Sequence, residues 1–166
     1  MGDVTKGVMV TDQSGPEQEV AEIARRLRLV SRSQWTELFA ATARLLAAGP
    51  GEPNPLNQGS NSATGATTFV MPFIIASDEL QQWERYIEHI GLIVPFQSTD
   101  WVAGRKVHDI EIESDIDAVR LISSIFRAAR FVEGLIEGCV SNGTIARIIS
   151  KLQESHPLAF EKGEQL

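Results

Sequence analysis

Residues 114–134 of the chain read SDIDAVRLISSIFRAARFVEG, and this stretch decides the fold class. Ser114, with Asp117 three residues later, has the form of a capping box with aspartate in place of glutamate. Behind it Ile116, Val119, Ile122, Phe126, Ala129 and Val132, continued by Ile136, recur at spacings of three and four. That period predicts one long helix over about 115–138, the central element of the domain. Gly134 and Gly138 fall in its last turns at Gly-x-x-x-Gly spacing. Glycine there costs roughly 1 kcal/mol against alanine, so the spacing predicts close approach of another backbone.

The pattern to either side is also helical. Val20, Ile23, Ala24 and Leu27 mark a helix from Glu17, with Glu22 placed to pair with Arg25 and Arg26. Trp35, Leu38, Phe39, Thr42, Leu45 and Leu46 mark a second, from about Ser33 to Ala48, stopped by Gly49-Pro50. Residues 49–68 are rich in Gly, Pro, Asn and Ser and read as a linker. Phe69 to Ile75 is apolar and extended around Pro72. Ser77 caps a helix carrying Leu80, Trp83, Ile87 and Ile90 and closed by Gly91. Leu92 to Phe96 is an apolar connector, and Ser141 to Thr144 separates the long helix from a last one bearing Ile145, Ile148, Ile149 and Leu152. The expectation is a single all-α domain of about five helices, with room for one short β-hairpin. Its parts are a flexible arm 1–16, a helical pair 17–48, the linker, a helical body 69–156 and a tail 157–166.

Composition bounds what such a domain does. At 166 residues it is large enough to bury a core of its own, and 43% hydrophobic with 22% charged residues is ordinary globular usage. A net charge of -7 argues against broad nucleic-acid binding, which needs a basic face to displace counterions. Cys139 is the only cysteine, so an intramolecular disulfide and a cysteine zinc site are both excluded. No leader pattern and no apolar run of membrane-spanning length is read in the sequence, and the expectation is a cytoplasmic protein.

The candidate site is the charged flank of the long helix. Arg127, Arg130 and Glu133 lie three residues apart and stack on one side. The plainer reading, placed first, is an arginine flank tied to acidic residues such as those at 109–117. The functional reading is an anion site, because two guanidiniums on adjacent turns can fork a phosphate or carboxylate.

Other patterns carry less. Asp109, Glu111, Glu113, Asp115 and Asp117 alternate with Ile110, Ile112, Ser114 and Ile116 and read as a short amphipathic strand running into a helix start. A calcium loop would need glycine where Ser114 stands and glutamate where Arg120 stands. His89, His108 and His156 are isolated, and Cys139 reads as packing. The loop 59–67 lacks the lysine and glycine spacing of a phosphate loop, and no common catalytic signature occurs. A helix-turn-helix reading of the last two helices puts Glu133, Glu137 and Arg147 at positions that want apolar residues, with Arg147 and Lys151 the only basic complement. No catalytic residue, metal or cofactor is assigned.

Taken in order, Met71-Pro72-Phe73, Gly91 to Phe96 with Trp101, Arg127-x-x-Arg130-Phe131-x-Glu133-Gly134, and Asn142 to Ile145 with Ile148-Ile149-x-x-Leu152 resemble a bacterial family catalogued as domain of unknown function 6508. The resemblance covers roughly residues 69–152 and implies no reaction. The family pattern usually has an acidic residue before the second arginine and a cysteine after the phenylalanine, where this chain has Ala129 and Val132. The functional expectation is a non-catalytic binding or protein-interaction domain, with an unknown partner or a second copy of itself. The alternative is a small enzyme or sensor gripping an anionic small molecule through Arg127 and Arg130. A DNA-associated regulator comes third.

Overall fold

The computed structural model describes residues 15–53, 74–95, 102 and 104–157. The expected arm up to residue 14, the linker from residue 54, the Met71-Pro72-Phe73 stretch, Trp101 and the tail beyond Pro157 lie outside the described residues. Six α-helices are present among the described residues, with one antiparallel strand pair. They are α1 (Pro16–Leu29), α2 (Arg32–Ala48), α3 (Asp78–His89), α4 (Asp115–Ala129), α5 (Leu135–Ser141) and α6 (Thr144–Ser155). The strands β1 (Gly51–Pro53) and β2 (Ile74–Ala76) pair with Gly51 opposite Ala76. The all-α expectation holds.

Local chemistry sets where the helices begin. Ser114 accepts from the Asp117 N–H while the Asp117 carboxylate takes the Ser114 N–H, and Ser77 accepts from the Leu80 N–H. Ser31 and Gln34 form a full capping box at the start of α2, one turn ahead of the stripe that marks that helix in sequence.

The end of the central helix is a correction. The period runs on to residue 138, but α4 stops at Ala129. The N–H groups of Arg130 and Phe131 turn back to the carbonyls of Arg127 and Ala128, a tightened final turn, and Gly134 adopts a left-handed conformation with φ +75. The chain restarts in a new direction as α5, which leaves Val132 exposed although its spacing matched the core stripe. The Gly-x-x-x-Gly reading falls with it. Gly134 supplies a turn, and a Cβ built on Gly134 or on Gly138 meets nothing within 4 Å, so among the described residues no other backbone packs against either.

The expected strand at 109–113 is also absent. Val107–Asp109 is a 3-10 turn and the chain then runs irregularly to Ser114, held by the Arg147 guanidinium, which donates to the carbonyls of His108 and Ile110.

One core unites the elements. α2 packs on α3, α4 on α5 and α6, α2 also on α6, and α1 on α4, so the amino-terminal pair is part of the same body. Ile23, Leu38, Leu45, Trp83, Ile87, Leu121, Ile122, Ile125, Ile145 and Ile148 are fully buried at its centre. Its few polar groups are satisfied: the Trp83 indole donates to the Thr42 hydroxyl at 2.9 Å, and that hydroxyl donates to the Leu38 carbonyl. Arg120 ties α4 to α1 through Glu19, and His156 lies flat on Trp35 while its ring nitrogen meets Asp115 at 3.2 Å.

Candidate functional site

Two helix stripes with the same spacing face each other. On α3 the positions are Gln81, Glu84, Arg85 and Glu88; on α4 and its cap they are Ser123, Phe126, Arg127 and Arg130. Each set follows i, i+3, i+4, i+7, one side of a helix. Between them lies a cleft of about 710 Å³, lined also by Ile93, Val94 and Pro95 of the connector and by Ile136 of α5. Phe126 forms part of the lining and contacts Trp83 of the core at a ring distance of 6.0 Å.

The connector is held in place from both sides. The buried Ser123 hydroxyl accepts from the Val94 N–H at 3.0 Å. From α1, Arg26 reaches across to donate to the carbonyls of Gly91 and Ile93, both at 3.1 Å, while Glu22 holds its other edge at 2.7 Å. The Glu22 carboxylate, gripped by Arg25 and Arg26, is pulled down to a pKa of about 2. The Glu22 pairing expected from the sequence is therefore present, and through Arg26 it helps to shape the cleft wall.

The charges on the two walls differ: the α4 side carries Arg127 and Arg130, whereas the α3 side carries Glu84 and Glu88 with Arg85 between them. Arg127 and Arg130 both line the cleft, so the structure brings together two of the three expected site residues. Glu133 does not join them. It is exposed on the turn after α4, because the helix that would have stacked it over Arg130 has already ended. Across the cleft stand Glu84 and Glu88, which the sequence reading missed. Glu84 is half-buried, and its carboxyl is pushed above the usual range by burial first, then by the negative charges of Glu137 and Glu88. The missed signal was a polar stripe on a helix whose neighbouring face is strongly apolar.

Arg130 forms no ion pair with any described residue. Three of the five acids in the run proposed as its anchor are engaged elsewhere: Asp115 by His156, Asp117 by Ser114 and Arg120, Asp109 by His108. Beyond Arg130, the turn holds Phe131 86% exposed and Val132 51% exposed.

Cys139 is buried, and burial pushes its thiol up to about 11, which keeps it protonated near neutrality. Among the described residues no three His, Cys, Asp or Glu side chains are grouped to hold a metal ion, and no helix is long and apolar enough to cross a membrane.

The model of a family of unknown function, DUF6508, matches residues 30–157. The chain belongs to that family. The match begins at the end of α1 and takes in α2, so it reaches further than the resemblance read over residues 69–152, and it contains every residue that lines the cleft. Comparison with curated proteins and with solved structures returns no match.

Proposed function

We propose that this DUF6508 protein is a non-catalytic interaction domain that docks a protein partner across the α3–α4 cleft and the Arg130–Gly134 turn. The observation that carries this reading is Phe131, 86% exposed and next in the chain to a residue of the cleft wall. Protein interfaces concentrate their energy in aromatic and arginine anchors around an apolar centre with a polar rim. Val94, Pro95, Phe126 and Ile136 supply such a centre, and Arg127, Arg130, Glu84 and Glu88 such a rim. Ser123, the one hydroxyl in the cleft wall, is already bonded to the connector main chain. A cytoplasmic setting suits a chain whose single cysteine is buried and unbridged.

Site-specific photo-crosslinking in cells that make the protein tests this. A photoreactive residue at position 131 should give discrete protein adducts that vanish when Arg130→Glu is added. The same probe at Gln153, exposed on α6 and outside the cleft, should not give them. No adduct from 131, or the same adducts from both positions, would overturn the reading.

A second reading is favoured by the cleft volume, which falls in the range of small-molecule sites, and by the two guanidiniums on its wall. In that reading a carboxylate or phosphate group sits against Arg127 and Arg130, and Glu84 and Glu88 on the α3 wall receive a cationic end of the ligand. Titration with inorganic phosphate or a small amino acid should then raise the melting temperature of the wild type and leave Arg127→Ala unmoved. DNA-associated regulation is the weakest of the three, because the Arg147 guanidinium is already bonded to two main-chain carbonyls and Lys151 to Glu154.

A further inference from the structure

The interaction reading leaves the partner unnamed, and the surface itself points to one. An apolar knob, Phe131 with Val132, projects from the turn. Arg130, immediately before the knob, lines a cleft that also presents Ile93, Val94, Pro95, Phe126 and Ile136. The α4 wall carries two cations, the α3 wall carries Glu84 and Glu88 with Arg85 between them, and neither Arg130 nor Glu88 forms an ion pair with any described residue. The knob follows directly in the chain on Arg130, and Arg130 and Glu88 line the same hollow. A patch of that kind complements itself under a two-fold rotation, because in an isologous contact residue i facing j requires j to face i.

We propose that the occupant of the cleft is a second copy of this chain. Phe131 of each protomer enters the cleft of the other, and Arg130 of each meets Glu88 across the interface. The inference rests on the interaction reading above and deepens it. Burial of two aromatic side chains removes from water the largest apolar groups left exposed on the turn, while the two reciprocal charge pairs set the register. The outer faces of α3 and α4 supply the remaining area, since a stable contact needs about 800 Å² from each partner.

Sedimentation velocity on the full chain, from about 1 μM to about 300 μM, tests the proposal. The wild type should pass from monomer to dimer across the series. Phe131→Asp, Arg130→Glu and Glu88→Arg should each weaken the dimer by at least about tenfold while keeping the wild-type circular dichroism spectrum. An equimolar mixture of Arg130→Glu chains with Glu88→Arg chains should associate again, because one pair then has both charges reversed and the other keeps its native charges. A wild type that stays monomeric throughout overturns self-association and leaves the crosslinking test to decide whether another protein takes the cleft. A dimer indifferent to Phe131→Asp, or a mixture no better than its components, overturns the proposed geometry.

Discussion

The Ser123 hydroxyl on α4 accepts the Val94 N–H at 3.0 Å, and this buried bond fastens the connector that lines the cleft. The same oxygen lies 3.4 Å from the Leu92 carbonyl, so a single side chain serves both directions of the extended main chain. Ser123→Ala leaves the Val94 N–H buried without a partner. The expected cost is about 1–3 kcal/mol in chemical denaturation, with faster hydrogen exchange at Val94 in particular. An unchanged denaturation midpoint would mean that water replaces the hydroxyl and that the connector is held by Arg26 alone.

The two glycines of the Gly-x-x-x-Gly spacing should respond in opposite directions. Gly134 needs its positive φ of +75, so Gly134→Ala is expected to destabilise by about 1 kcal/mol or more. Gly138 sits inside α5 with open space around it, and Gly138→Ala should stabilise by up to about 1 kcal/mol. Thermal melts of the two variants decide it. A destabilised Gly138→Ala would restore the packing motif that the geometry denies.

Glu84 should impose a pH dependence of definite sign. Its folded-state pKa is raised, chiefly by burial and then by Glu137 and Glu88, so the folded chain holds this proton more tightly than the unfolded chain. The ionised carboxylate therefore costs stability. That cost is absent below the unfolded carboxylate range, grows as pH rises through it, and is complete above the folded value. Glu84→Gln should melt higher than the wild type at neutral pH, and the gap should close towards about pH 4. A gap that widens on acidification would contradict the direction of the shift.

Arg130→Ala should change stability by less than about 0.5 kcal/mol, because the side chain is exposed and makes no ion pair with a described residue. An arginine tying the helix flank to buried acids would instead cost about 1–3 kcal/mol on removal. Urea unfolding of the variant separates the two.

What could be read from the sequence was local. Ser114 with Asp117 and Ser77 before Asp78 announce helix starts, because a cap is made within four residues of chain. Where α4 ends was hidden, since Ala129, Val132 and Ile136 keep helical spacing across a break that depends on the φ of Gly134. Of the cleft, the α4 wall was visible as two arginines in an apolar pattern. The α3 wall was not: Glu84 and Glu88 look like an ordinary solvated face until α3 is set beside α4. Ser123 was hidden for the same reason, as its partner Val94 lies 29 residues away. Val132 fitted the core stripe on paper and is exposed because the helix it would have continued has turned.

The central claim is that the α3–α4 cleft and the Phe131 turn form a docking surface, and native mass spectrometry of protein drawn gently from cells that make it tests this most directly. The wild type should carry a second chain, its own copy or another, whereas Phe131→Asp should fly as the bare 18.2 kDa monomer. A wild type and a Phe131→Asp variant that both appear only as the bare monomer would contradict the account.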